Sequence, residues 1–172
     1  MISRLLGDKG VREYAEAALR VKEKYPKIEF VLVGWLDENP DSITQSELDK
    51  WVNREVILFL GKLEDVREVI ANCSVFVLPS YREGTPRTVL EAMAMGRAII
   101  TTDAPGCRET VIDEENGFLV PVKSAVDLEK SILKFIKQPG LAVSMGKRSR
   151  EIAEVKYDVK KVNDIMLQEM GI

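Results

Sequence analysis

Between Val75 and Thr101 the chain spells out a strand, a loop, a helix and a second strand, and no other stretch restricts the fold as much. Val75-Phe76-Val77-Leu78 is a β-branched and aromatic run stopped by Pro79. A loop follows, then a helix with start and stop signals. Thr85 is expected at the N-cap, Pro86 at the first helical position and Gly96 just past the end. Ala98 to Thr101 reads as the next strand. Two carboxylates flank the helix start: Glu83 precedes it and Glu91 lies inside it.

The rest of the chain repeats the alternation. Val11, Ala15, Ala18 and Leu19 fall on one stripe of an amphipathic helix over residues 11–24, ended by Tyr25-Pro26. Residues 28–33 read as a strand closed by Gly34. Residues 35–45 are a polar loop containing Asn39-Pro40-Asp41 as turn chemistry. A short helix over 46–53 carries Leu48 and Trp51 inward. Residues 56–60 form a strand followed by the turn Gly61-Lys62-Leu63, and residues 64–72 a helix with Val66, Val69 and Ile70 as its apolar side. After the central unit come a loop over 102–106, a helical turn over 107–112, and a strand over 118–120 behind Asn116-Gly117. Helices follow at 125–137, about 141–155 and 159–170, with Pro139-Gly140 breaking the first from the second. Met1-Ile2-Ser3 reads as the tail of a first strand whose beginning is missing. The alternation argues for an α/β fold: a Rossmann-like, doubly wound parallel sheet in three α/β/α layers. At 172 residues the chain can bury one sizeable core, and residues 1–172 are read as a single domain.

In a sheet of order 3-2-1-4-5-6, the loops after the first and fourth strands are neighbours at the carboxyl edge, where such sheets bind ligands. The first loop carries Arg4 and Lys9, the second Glu83 to Arg87. A basic pair beside a helix N-terminus suits an anion. Carboxylates are poor phosphate ligands but good acceptors for sugar hydroxyls, so the combination points to a nucleotide-sugar. Plainer roles stand beside this one. Glu91 can pair with Arg87 one turn earlier, Glu83 can be a solvated loop residue, and Arg4 and Lys9 can be a basic surface turn. The glycines do not form GxGxxG, so a dinucleotide fingerprint is absent.

The stretch resembles the nucleotide-binding signature of retaining GT-B glycosyltransferases of family 4, the group 1 glycosyltransferases. Its two glutamates separated by seven residues are met by Glu83 and Glu91. Ala92-Met93-Ala94, Gly96, Gly106-Cys107-Arg108-Glu109 and Glu115-Asn116-Gly117-Phe118-Leu119-Val120-Pro121 follow in order. The wording from Ser80 to Arg87 is similar to a branch acting on polyprenyl-diphosphate-linked acceptors in bacterial polysaccharide or glycan assembly. The resemblance covers nearly the whole chain but only the C-terminal half of a GT-B enzyme, so it implies that the N-terminal acceptor domain is absent from this chain. It implies a UDP-sugar donor, a hexose or N-acetylhexosamine, transferred with retention to a lipid-linked or polysaccharide acceptor. By the same resemblance Glu91 holds the ribose hydroxyls, and Glu83 with the backbone at Gly84 and Thr85 holds the donor sugar. Arg4 and Lys9 stabilise the leaving diphosphate, while Lys62 and Leu63 border the base. One departure stands out. Many members have aromatic-Gly-Leu where this chain has Thr85-Pro86-Arg87. Pro86 lacks an N–H, so the N–H groups of Arg87 and Thr88 must meet the anion, and the Arg87 side chain can face donor or acceptor.

Composition narrows the classes further. A net charge of −3 gives no support for nucleic-acid partners, and no run is long enough to span a membrane. Cys73 and Cys107 are expected as reduced thiols in a cytoplasmic protein, peripheral to the inner face of the cell membrane in its full-length form. The chain has no His, the commonest general base and metal ligand, so no cofactor and no metal are expected. Two other readings remain: a sugar-nucleotide epimerase of the same fold, and a non-catalytic nucleotide-binding module.

Overall fold

The structure, a computed structural model, describes residues 1–159 and 167–168. Most of the helix expected at 159–170 therefore lies outside the described residues. Two parallel sheets are present. Val31–Leu32 (β1) pairs with Leu58–Phe59 (β2), and Val75–Leu78 (β3) pairs with Ala98–Thr102 (β4), which pairs with Gly117–Val120 (β5). The chain start reaches β1 through a parallel bridge between Ile2 and Val33. Within each sheet the neighbours are those of the expected doubly wound order: β2, β1 and Ile2 in one, and β3, β4 and β5 in the other.

The helices are Val11–Lys24 (α1), Gln45–Asn53 (α2), Arg67–Asn72 (α3), Arg87–Ala94 (α4), Ala125–Lys137 (α5) and Gly140–Lys156 (α6). α1 packs against α5, while α6 packs against α4 and across β4. β4 is buried along its whole length, as a strand covered on both faces must be. α1 and α5 occupy their expected spans because both signals are local. The α1 stripe buries Val11, Ala15 and Ala18, and Tyr14, Ala17 and Val21 join it. The Ser124 side chain accepts the Asp127 N–H at the start of α5.

Several boundaries differ from expectation. The strands expected at 28–33 and 56–60 pair only at β1 and β2, and on the other side of β1 the Met1 amine donates to Val31 O at 2.9 Å. α3 starts three residues later than expected. The Asp65 carboxylate accepts the Arg67 N–H and grips its guanidinium, so the preceding residues form a turn. α2 starts at Gln45 under a complete capping box, with Thr44 and Glu47 exchanging side-chain bonds to each other's backbone N–H. α4 begins at Arg87 with Pro86, not Thr85, as its N-cap. Pro86 takes ψ 93°, outside the helix, and Thr85 is left exposed with its side chain capping nothing. Gly96 keeps its expected role: it follows the C-cap Met95 with φ 69°, a left-handed conformation natural to glycine.

Candidate functional site

The carboxyl edge is assembled by close backbone approaches. Gly10 has φ 71°, and a Cβ there would stand 2.2 Å from Pro79 O. The loop bearing Lys9 is thus pressed onto the end of β3. Tyr81 N–H donates to Asp8 O at 2.8 Å, and the buried Ser80 hydroxyl reaches the same carbonyl at 3.2 Å. On the other side Glu83 N–H donates to Pro105 O at 3.0 Å. A Cβ on Gly106, at φ 82°, would lie 1.9 Å from Glu83 O. Ser80 O accepts from the Thr102 hydroxyl and from the buried Cys107 thiol, which burial pushes above its ordinary pKa. Glu83 is therefore fixed between the loops after the first strand and after β4 before any ligand arrives.

Lys9 and Glu83 meet directly. Lys9 Nζ stands 2.7 Å from Glu83 Oε1, and their side chains are only 14% and 16% exposed. Arg4 does not join them. Its guanidinium pairs with Asp37 at 3.3 Å and is half exposed. The two basic residues share a loop but point to different carboxylates. Behind Lys9, Tyr81 donates its hydroxyl to Glu13 at 2.6 Å; burial and that carboxylate raise its pKa.

The first turn of α4 is joined to the start of the chain. The Thr88 hydroxyl donates to Ile2 O at 3.4 Å, tying the helix to the first strand. Among the described residues the N–H groups of Arg87 and Thr88 have no backbone acceptor, because both precede the first intrahelical bond, from Val89 to Pro86 O. Nothing lies within 4 Å of a Cβ built on Gly84, so its backbone borders open space. Glu91 is exposed and makes no ion pair with Arg87 or any other described residue. The plainer role of a helix-surface pair is therefore not realised. Lys62 is exposed, with its ammonium 5.2 Å from the centroid of the Trp35 ring, while Leu63 packs partly into the core.

Two elements escaped the sequence reading. Trp35 lay in a stretch read only as polar loop, and Asp37 lay unnoticed beside it. The only available signal was an aromatic residue directly after the Gly that closes a strand. A cavity of about 1000 Å³ opens elsewhere, among Met1, Phe30, Cys73, Phe76 and Arg97 at the amino ends of the strands. It lacks Lys9 and Glu83, and ligands of such sheets bind at the opposite edge. Among the described residues no helix is long and apolar enough to cross a membrane.

The family model described as Glycosyl transferases group 1 matches residues 1–152. Over 158 residues the chain is 38% identical to the N,N'-diacetylbacillosaminyl-diphospho-undecaprenol alpha-1,3-N-acetylgalactosaminyltransferase of Campylobacter jejuni, covering 92% of this chain and 40% of that protein. It is 27% identical over 156 residues to the capsular polysaccharide biosynthesis glycosyltransferase CapM of Staphylococcus aureus, covering 91% of this chain and 41% of that one. The crystal structure of the C-terminal domain of a glycosyl transferase group 1 family protein, LpcC from Francisella tularensis, superposes with a TM-score of 0.80 at 29% identity. That match covers 92% of this chain and 85% of that one. The chain spans about 40% of the length of these two curated relatives.

Proposed function

The chain belongs to the group 1 glycosyl transferases, and on that footing we propose that it is the donor-binding domain of a retaining enzyme that uses a UDP-sugar. The observation that carries the reading is the Lys9–Glu83 contact, which sets a cation and a carboxylate side by side before the open start of α4. A diphosphate brings more negative charge than one carboxylate, so Lys9 turns to it, and the half-exposed Arg4 leaves Asp37 to join. The N–H groups of Arg87 and Thr88 and the positive end of α4 complete the anion site. Glu91 takes the ribose hydroxyls. Glu83, released from Lys9, accepts hydrogen bonds from the donor sugar beside the Gly84 and Thr85 backbone. Lys62 and Leu63 border the base.

When the glycosidic bond breaks, negative charge grows on the departing diphosphate. Arg4, Lys9 and the helix start stabilise it there, in place of a divalent metal. Arg87, exposed at the helix start, faces an acceptor that itself carries phosphate. The similarity to an N-acetylgalactosaminyltransferase supports an N-acetylhexosamine donor and a polyprenyl-diphosphate-linked acceptor. The acceptor is held by a separate N-terminal domain, so this chain alone binds donor without transferring it, and the whole enzyme works peripherally at the cytoplasmic membrane face.

The test is to incubate the full-length protein with UDP-N-acetylhexosamines and UDP-glucose beside a polyprenyl-diphosphate-linked sugar. Transfer to the lipid is expected. An epimerised donor, or donor binding without transfer, contradicts the reading.

A further inference from the structure

Among the described residues, Trp35 makes no hydrogen bond to the Lys9–Glu83 pair. It follows Gly34 at the carboxyl end of β1, where Leu32 and Val33 are buried, yet it is itself 43% exposed. Its backbone is held from both sides. Gly34 N–H donates to Gly61 O at 2.9 Å, and Trp35 O accepts the Leu5 N–H at 3.0 Å from the loop that bears Arg4 and Lys9. Lys62 lies over the ring, a cation–π contact that orients the indole. Two residues further on, Asp37 holds Arg4. Gly61 has φ 70°, and nothing lies within 4 Å of a Cβ built there. An oriented, partly exposed aromatic surface thus stands between an open turn and the basic loop.

We infer that Trp35 is the platform on which the nucleobase of the donor stacks, with Lys62 fixing the ring. The inference rests on the donor-binding reading and adds a residue to it. A nucleoside diphosphate carries a planar base about one ribose from its phosphates. With the phosphates on the Arg4 loop, the base needs an apolar surface beside that loop. Core packing gives no reason for an exposed indole there, because the neighbouring strand residues bury without it. Stacking is indifferent to which base is present, so Trp35 supplies affinity for the nucleoside and takes no part in breaking the glycosidic bond.

The test uses the chain's two tryptophans. Trp51→Phe leaves Trp35 as the sole emitter. UDP and uridine are expected to quench it with saturation, and pyrophosphate is not. In calorimetry, Trp35→Ala should weaken UDP and uridine by the same factor, roughly 5- to 100-fold, whereas Trp35→Phe should keep most of the affinity. Melting should not change, since the side chain is at the surface. Unchanged UDP affinity in Trp35→Ala, or equal quenching by pyrophosphate, overturns the inference. Calorimetry on Trp35→Ala decides alone if Trp51→Phe does not fold. A wild-type chain that binds no UDP removes the donor-binding reading, and this inference with it.

Discussion

Lys9 Nζ and Glu83 Oε1 lie 2.7 Å apart, although 74 residues separate them in the chain. The contact couples two groups that the sequence reading treated separately. The resemblance implied the donor sugar for Glu83 and the diphosphate for Lys9, beside plainer surface roles for each. Each restrains the other, and a donor bound as proposed would have to part them.

Glu83→Gln is therefore expected to tighten UDP itself by about 3- to 10-fold, since a half-buried ion pair that competes for Lys9 is worth about 1 kcal/mol. UDP-sugar should lose affinity relative to UDP, and turnover of the full-length enzyme should fall. Calorimetry with UDP and UDP-sugar checks it. Equal weakening of both ligands would mean that the pair does not compete with phosphate.

Glu91 behaves differently because it has no partner among the described residues. Glu91→Ala should leave unfolding within about 0.5 kcal/mol of wild type. It should weaken UDP by about 1.5–3 kcal/mol, the range for hydrogen bonds to a charged group. A urea melt and a UDP titration on the same sample separate the two effects. A plain surface carboxylate would leave both unchanged.

Gly106 and Gly84 make a second contrast. Gly106→Ala forces a Cβ at φ 82° to within 1.9 Å of Glu83 O. It should cost about 1–3 kcal/mol of stability and displace Glu83. At Gly84 the space is empty, so Gly84→Ala should melt like wild type while hindering the donor sugar. Thermal unfolding distinguishes them, and identical melting of the two variants would contradict the packing described.

The amino terminus gives a pH dependence. In a chain whose terminus is Met1, burial lowers the amine from 8.0 to about 5, so the folded protein holds it neutral. Between pH 5 and 8 the unfolded chain binds the extra proton, so stability rises with pH through that window and is complete above pH 8. The change is on the order of 4 kcal/mol. The chain has no His to titrate in the same range. Urea melts at pH 5.5 and 8.5 should differ strongly for the free amine and little after acetylation. A flat profile for both would show that the amine is solvated in the fold.

Much of this architecture was legible because its signals are local. The α1 stripe, the Ser124 cap of α5 and the Pro139-Gly140 break each lie within a few residues. The parallel order followed from alternation, and it brought the Lys9 loop to the Glu83 loop. What was not legible depends on atoms far apart in sequence. The direct Lys9–Glu83 bond, the diversion of Arg4 to Asp37 and the Lys62–Trp35 contact each link loops that only the folded sheet brings together. The cap of α4 slipped by one residue for a different reason. Pro86 satisfies φ for either role, and its ψ of 93° is set by the loop before it, not by Thr85.

The central claim is that the Arg4 and Lys9 loop and the start of α4 form a diphosphate site that needs no metal. Titrating UDP and uridine into the chain in EDTA, with wild type, Arg4→Ala, Lys9→Ala and the double variant, tests it most directly. Wild type should bind UDP at least about tenfold more tightly than uridine. Salt should erode the difference. Either substitution should lower UDP affinity and leave uridine nearly unchanged, with the two effects less than additive if both side chains share one phosphate. UDP that binds no better than uridine, or that binds only when magnesium or manganese is restored, would contradict it.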